Sequence, residues 1–273
     1  MTMKSVMSCA VCLSLLVAAS SGAVWADDEA SFSMGAGLDY STGNYGTANT
    51  TNISATSVYA TYANDAWLMK LTVPYLRVSG DDSVIASGGG MGSSRGGTGM
   101  GGTGMGGGGT TNSTTQSGIG DVAALATYNA VSSADGETGI DLTGRIKFGT
   151  ASSTLGSGMN DYAVELTAYS RMGEFSPSLT AGYEFLGSSA ELPLNNVAYT
   201  TLGGGYAFND QTQAGIEYHY AQRASATGHV KREVNLNAST QIGEDVYLRA
   251  YMLQGLSDGS PDKGFGLSVS AGF

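Results

Sequence analysis

Phe265-Gly-Leu-Ser-Val-Ser-Ala-Gly-Phe273 (FGLSVSAGF) closes the sequence, and its side chains alternate strictly in character. Apolar residues stand at 265, 267, 269, 271 and 273, with glycine or serine between them. A period of two places every apolar side chain on one face of a β-strand. That face needs an apolar partner, because all five of its side chains are apolar, including the aromatic ring of Phe273.

The same alternation recurs along the chain from residue 31 onward. Each stretch is about 10 residues long, which is the length that a tilted strand needs to cross a bilayer. The expected strands lie at 31–40, 53–63, 67–77, 120–130, 138–148, 161–172, 175–186, 198–208, 212–223, 232–242, 246–255 and 264–273. The sequence therefore predicts an all-β fold of 12 strands.

Polar and charged residues occupy the positions between the apolar ones. The candidates for this second face are Lys70, Asp141, Arg145, Lys147, Glu165, Glu184, Glu217, His219, Arg223, Glu233 and Arg249. In a soluble β-sandwich such residues face water, whereas in a membrane barrel they line the lumen and the apolar face meets lipid. Alternation alone does not separate these two architectures.

The lengths of the connections favour the barrel. Short turns are expected at 64–66, 132–136, 173–174, 209–211 and 243–245. Longer loops alternate with these turns, and the longest spans 78–119. An even number of strands with short turns at one end and long loops at the other is typical of outer-membrane barrels. We therefore expect a transmembrane, antiparallel, up-and-down β-barrel.

Residues 1–26 have the pattern of a secretory signal peptide, with Lys4, an apolar core and small residues before Asp27. We expect cleavage to leave 27–273 as the barrel, in the outer membrane of a Gram-negative bacterium. Cys9 and Cys12 are the two cysteines of the sequence, and both fall in the predicted signal. Neither disulfides nor thiolate chemistry is therefore expected in the mature protein.

The composition narrows the possible partners. The net charge is -11, which argues against binding to nucleic acid, because phosphates require a basic surface. Only 13% of the residues are charged, which is few for the surface of a soluble protein. The expected partners are outer-membrane lipid and lipopolysaccharide around the barrel and a small-molecule solute inside it.

Aromatic residues are expected to form a girdle at each end of the barrel, as interfacial aromatics prefer. With the short turns in the periplasm, the outer girdle comprises Tyr40, Tyr75, Phe148, Phe185 and Tyr220. The periplasmic girdle comprises Trp67, Tyr128, Phe208 and Phe273. Phe273 would then lie at the lipid interface, and its strand would pair with the first strand and close the sheet.

Two stretches fit this pattern less well. The predicted strand 53–63 (ISATSVYATYA) has no clean polar face. Pro74 falls inside the next strand, although proline has no N–H to donate to a ladder. The pattern therefore does not fix the strand register over 53–77.

Several short motifs resemble a known family. The last strand resembles the assembly signal of bacterial outer-membrane barrels. Leu71-Thr-Val-Pro-Tyr75, Gly118-Ile-Gly-Asp121 and Ser257-Asp-Gly-Ser-Pro-Asp262 resemble the outer-membrane transporters grouped with the MetA-pathway of phenol degradation. The resemblance implies recognition by the barrel-assembly machinery through Phe273. It also implies passage of small solutes, with aromatic or hydrophobic compounds as a class, without naming one.

A Gly- and Met-rich insert at 87–109 repeats GGTGM at 96–100 and 101–105. Gly97 to Gly102 matches G-x-G-x-x-G, but a dinucleotide site needs this motif between a strand and a helix, and that context is missing. Three methionines of the insert could offer thioether ligands to copper(I). We interpret the insert instead as a flexible extracellular loop, and no cofactor is expected.

The chain is not expected to be an enzyme. Its two histidines are His219, between two tyrosines on a strand, and His229, in a predicted loop. Hydrolysis would need a nucleophile, a base and an orienting group within hydrogen-bond reach, and the sequence offers no such set. We expect a passive channel with a narrow charged lumen, because 12 strands lie between filled 8-stranded barrels and open porins. The alternative is a plugged barrel whose function lies in the 78–119 loop.

Overall fold

The computed structural model describes residues 30–81, 84–86, 102–104, 113–153, 155–190 and 192–273. The predicted signal peptide lies outside these residues, as does most of the 87–109 insert. Within the described residues, no helix is long and apolar enough to span a membrane.

The described chain is built of β-strands. They are β1 (Ser31–Gly43), β2 (Thr51–Ala63), β3 (Trp67–Asp81), β4 (Val84–Ala86), β5 (Gly102–Gly104), β6 (Ser113–Ile119), β7 (Val122–Ser132), β8 (Thr138–Phe148), β9 (Asp161–Ser170), β10 (Phe175–Phe185), β11 (Val197–Ala207), β12 (Thr212–Ala221), β13 (Lys231–Gln241), β14 (Val246–Gly255) and β15 (Lys263–Gly272). The short strands β4 and β5 pair only with each other, apart from the main sheet.

The main sheet closes on itself. Consecutive strands pair antiparallel, and β1 pairs with both β2 and β15, so that Met34 lies opposite Ala271 on one side and Ala60 on the other. β6 and β7 both pair with β3 and together form one interrupted strand of the wall. The prediction of a 12-stranded, antiparallel, up-and-down barrel is confirmed.

The two faces of the wall differ as the alternation predicts. Leu38 and Leu202 point outward and are about 60% exposed, as expected for side chains that face lipid. Asp141 and Thr143 alternate with outward-facing residues of β8 and are buried inside. Most apolar side chains therefore cover the outside of the wall, and most polar side chains line the inside.

Side-chain oxygens accept hydrogen bonds from backbone N–H groups and so close the short turns. Asn64 Oδ1 accepts hydrogen bonds from the N–H groups of Ala66 and Trp67, at 3.1 and 2.8 Å. Asp135 Oδ1 accepts from the hydroxyl of Ser133 and from the N–H of Glu137. These bonds stabilise the carboxylate and hold the pKa of Asp135 below its ordinary value. Such Asx turns reverse the chain within a few residues.

Pro74 lies at the point where the partner of β3 changes from β7 to β6. Thr72 pairs with Ala123, and Tyr75 pairs with Ile119, which displaces the register by one residue. Gly120 N donates to Pro74 O at 2.9 Å. Because the N–H and C=O of a strand residue point to the same side, the missing donor of Pro74 faces this break. The proline therefore interrupts no regular part of the ladder.

Two predicted boundaries were wrong near this break. The loop predicted at 78–119 is shorter, because β3 continues to Asp81 and β6 pairs back onto it from Ser113. The strand predicted at 53–63 begins at Thr51 and lacks a polar face for a structural reason. Its inward residues Ile53 and Ala55 belong to an apolar cluster inside the barrel.

Aromatic pairs lie at both ends of the wall, and at the end with the long loops the ring centroids of Tyr40 and Phe265 are 5.3 Å apart. Trp67 and Tyr128 have ring centroids 4.9 Å apart at the end with the short turns. At the same end, Phe273 lies 6.3 Å from Phe32, and its N–H donates to Phe32 O at 2.9 Å. The last residue is thereby tied to the first strand.

Candidate functional site

The candidate site is the inside of the barrel wall. Ten of the residues predicted for the lumen alternate with outward-facing neighbours and point inward: Lys70, Asp141, Arg145, Lys147, Glu165, Glu184, Glu217, His219, Glu233 and Arg249. The prediction for Arg223 was wrong. β12 ends at Ala221, and Arg223 is an exposed residue of the following loop, because the chain leaves the ladder before reaching it.

A buried ion pair joins β8 to β9. Arg145 Nε lies 2.6 Å from Glu165 Oε1, and Arg145 Nη2 donates to Glu165 Oε2 at 3.1 Å. The hydroxyl of Tyr199 donates to Glu165 Oε1 at 2.7 Å. This two-point geometry satisfies the carboxylate, which offsets much of the desolvation cost of burying both charges.

A second set of charges lies nearer the end with the long loops. Lys147 Nζ is 2.9 Å from Asp121 Oδ2 and 2.7 Å from Asp161 Oδ2, and we call these three residues the Lys147 bridge. The other oxygens of the two aspartates accept backbone N–H groups of Ala151 and Gly187, both at 2.8 Å. The bridge therefore ties two long loops to the top of the wall.

An apolar cluster lies inside the barrel at this same end. Its members are Tyr45, Ile53, Ala55, Leu76, Val78, Val84, Ala151 and Leu155, and we call it the outer apolar cluster. Tyr45 and Leu155 come from loops and are almost fully buried. Burial raises the pKa of Tyr45 to about 12, although its hydrogen bond with Ser41 acts in the opposite direction. The cluster narrows the outer mouth.

Inward tyrosines lie over glycines of the neighbouring strand. In four places a tyrosine is the direct register partner of a glycine on which a Cβ would collide with its ring. The pairs are Tyr59 with Gly35, Tyr169 with Gly139, Tyr199 with Gly182, and Tyr251 with Gly266. A ring held flat against the wall takes up less of the cross-section than one that projects inward.

His219, Asp141 and Glu233 each have a polar partner. His219 Nδ1 and Thr201 Oγ1 are 3.0 Å apart, and the His219 ring lies 5.8 Å from that of Tyr199. The side-chain amide of Asn129 donates to Asp141 at 2.9 Å. Lys231 Nζ lies 3.7 Å from Glu233.

Lys70 and Arg249 are held differently from the other cations. The Lys70 ammonium lies over the Tyr59 ring, 4.3 Å from its centroid. Nε and Nη2 of Arg249 have no hydrogen-bond partner among the residues that the structure describes. Glu217 attracts Arg249.

Several interior residues were missed at the sequence level. Asp39, Tyr199 and Tyr251 point inward, and Tyr251 donates its hydroxyl to Asp39 Oδ1 at 2.8 Å. The signal was present for Asp39, because it stands between the outward-facing Leu38 and Tyr40. The tyrosines were overlooked because an aromatic residue in a membrane strand is expected to face lipid.

Solved structures resemble this chain in fold. An outer membrane channel from Pseudomonas putida F1 has a TM-score of 0.66 at 13% identity, over 91% of this chain and 97% of that chain. The β domain of the Bordetella autotransporter Brka has a TM-score of 0.51 at 13% identity, over 90% and 100%. The KdgM porin has a TM-score of 0.49 at 11% identity, over 87% and 99%. No protein-family model and no curated protein matches the sequence.

The fold defines this chain as an outer-membrane β-barrel, and the predicted location in a bacterial outer membrane is confirmed. Membership in the MetA-pathway family remains a prediction. The expectation that the chain is not an enzyme also remains a prediction.

Proposed function

We propose that this barrel is a passive channel for small solutes, with a narrow lumen lined by charged side chains. One observation carries the proposal. Lys70 and Glu184 point inward and are only partly buried, which supports space beside them that a water molecule can occupy. A packed plug would leave no such space.

The walls of this space carry both signs of charge. Arg145 is matched by Glu165, and Lys147 by two aspartates. A lumen of mixed sign guides polar solutes without strong selection for cations or anions. The outer apolar cluster supports access by aromatic or hydrophobic compounds, because such solutes can pass apolar side chains without the desolvation cost that a bare ion meets.

The alternative is a plugged barrel that serves as a structural or display scaffold, with its function in the long loop. Burial of Tyr45, Leu155 and the Lys147 bridge at the outer mouth favours this reading. The two proposals differ in whether the mouth ever opens.

Single-channel recording of refolded residues 27–273 in a planar bilayer tests the proposal. Discrete conductance steps are expected. Glu184→Gln and Glu217→Gln should each shift the reversal potential towards anion selectivity, because each removes a negative charge from the lumen wall. Glu244→Gln makes the same change in an exposed short turn and should leave selectivity unchanged. Silence from folded, inserted protein would rule out the channel.

Deletion of residues 88–109 separates the alternatives further. Changed conductance with normal adhesion of the cells that carry the protein would make the insert part of the channel entrance. Loss of adhesion with normal conductance would favour display.

We also propose that lipid and lipopolysaccharide surround the apolar outside, and that Phe273 contacts the barrel-assembly machinery. Phe273 is 81% exposed, which supports a role as a docking residue. Replacing it with serine should slow assembly in an assay with purified machinery, whereas Phe208→Ser, in an exposed turn, should not.

A further inference from the structure

We propose that Tyr45 gates the outer mouth of the channel. Its ring closes the mouth while its backbone is held in a strained conformation, so that release of the ring opens the lumen. The inference rests on the proposed channel function and assigns that channel the part that moves. It follows from the geometry of one turn, from the contacts of the Tyr45 ring, and from the two loops that meet there.

Tyr45 occupies a turn position that disfavours large side chains. Tyr45 and Gly46 have consecutive positive φ angles of 50° and 76°, and the N–H of Thr47 donates to Asn44 O at 2.8 Å. This combination is typical of a type I′ turn, whose two central positions favour asparagine, aspartate and glycine. A side chain with a Cβ crowds the neighbouring backbone at positive φ. Among the residues that the structure describes, Tyr45 is the one non-glycine residue with such a φ.

The surroundings of the ring offset this cost. Tyr45 is only 1% exposed, and its hydroxyl lies 3.0 Å from Ser41 Oγ. Its ring is part of the outer apolar cluster, together with Ile53 and Leu155. A strained φ persists only where the rest of the structure holds it. Because the backbone relaxes when the ring leaves, withdrawing the ring costs less than it would for an unstrained tyrosine with the same contacts.

The ring lies where two loops meet on the inner face of the wall. Tyr45 belongs to the loop between β1 and β2, whereas Leu155 belongs to the loop between β8 and β9. Both are almost fully buried in a cluster that also contains Ile53 of β2 and Leu76 of β3. Tyr45 has the largest side chain of this cluster. Its withdrawal therefore widens the outer end of the lumen and exposes Leu155 to water.

The loop that carries Tyr45 can move as one piece. Asn44 accepts hydrogen bonds from the hydroxyls of Thr47 and Thr50, at 2.7 and 3.1 Å. These bonds join residues of the same loop and survive when the loop tilts. The loop between β8 and β9 is anchored to the wall instead, because an aspartate of the Lys147 bridge accepts one of its backbone N–H groups at 2.8 Å. The loop between β1 and β2 is therefore the moving part.

Single-channel recording of refolded residues 27–273 tests the gate, because a gate changes the open probability and not the current through an open channel. Tyr45→Asn removes the ring and relieves the turn, so the open probability should rise by about threefold or more. Tyr45→Phe removes only the bond to Ser41 and should raise it less. Tyr75→Phe is the matched control, because Tyr75 is 52% exposed on the outside of the wall, and it should behave like the wild type.

Thiol labelling follows the mouth without measuring current. Residues 27–273 contain no cysteine, so Leu155→Cys introduces a single buried thiol. A membrane-impermeant maleimide should label it at least about threefold faster when Tyr45→Asn is also present, and no faster with Tyr75→Phe. Heat-modifiable gel migration confirms folding of each variant. If Leu155→Cys does not fold, Ala151→Cys places the thiol in the same cluster.

Equal open probability and equal labelling in Tyr45→Asn and the wild type would overturn the gate, and normal conductance with that result would leave the channel in place. A higher open probability without faster labelling would place the moving part elsewhere and also overturn it. Faster labelling of a folded barrel that never conducts would remove the channel function, and with it the gate, because there is then no channel to close.

Discussion

Gly182 lies directly opposite Tyr199 across the β10–β11 pair, and the tyrosine ring occupies the space that a Cβ on Gly182 would need. The ring lies against the wall, and its hydroxyl reaches Glu165. A glycine on one strand thus decides where an aromatic side chain on the next strand points. The same arrangement at Tyr251 and Gly266 places a hydroxyl on Asp39.

Gly182→Ala is expected to push the Tyr199 ring into the lumen. Overpacking of this kind destabilises proteins by about 1–3 kcal/mol, and the displaced ring should also lower conductance. Gly144→Ala is the matched control, because nothing lies within 4 Å of a Cβ at Gly144. Urea unfolding in detergent and single-channel recording measure the two effects. Equal behaviour of the two variants would show that the ring has no fixed position.

Breaking the ion pair between Arg145 and Glu165 should be costly. Glu165→Gln leaves a buried guanidinium without its counter-charge, for which we expect a loss of about 3–5 kcal/mol in the free energy of unfolding. Replacing both residues with methionine should recover most of this loss, because neither charge is then stranded. Urea unfolding of Arg145→Met, Glu165→Met and the double methionine variant gives the coupling energy. Strictly additive losses would contradict a direct interaction.

Removing the Lys147 bridge should loosen the outer mouth. In Lys147→Met, the carboxylates of Asp121 and Asp161 lose their shared cation and repel each other. We expect higher single-channel conductance and faster cleavage by proteinase K within 149–160. Lys263→Met, at an exposed position, controls for the loss of a lysine. If both variants match the wild type, the bridge does not hold the loops.

The outer apolar cluster should weaken at high pH. The pKa of Tyr45 rises from 10.0 to about 12 on folding because the side chain is buried. Its contribution to stability is therefore complete below pH 10 and is lost as the pH rises towards 12, by roughly 3 kcal/mol at most. Unfolding of the wild type and of Tyr45→Phe, compared between pH 9 and 12, measures this. A wild-type pH dependence identical to that of Tyr45→Phe would exclude Tyr45 as the cause.

The alternation of apolar residues was a reliable guide only where the chain contacts lipid. β8 and β14 begin and end where the sequence predicts, because both of their faces carry a clear pattern. β6 was missed, since STTQSGI pairs with the end of β3 beyond the apolar band and has no lipid-facing pattern to read. Arg223 was misplaced for a related reason, because polar residues continue with the same period after the ladder has ended.

The sequence by itself determined the class of fold, the number of strands and the side of the wall on which most charges lie. These follow from local periodicity and loop length, which can be read from neighbouring residues without knowing their distant contacts. The tertiary structure alone decided which charges are paired. Arg145 meets Glu165 and Lys147 meets Asp121 and Asp161, whereas Lys70 lies over the ring of Tyr59. Pairing depends on register, shear and the glycines that aim each side chain, and these are set only when the barrel closes.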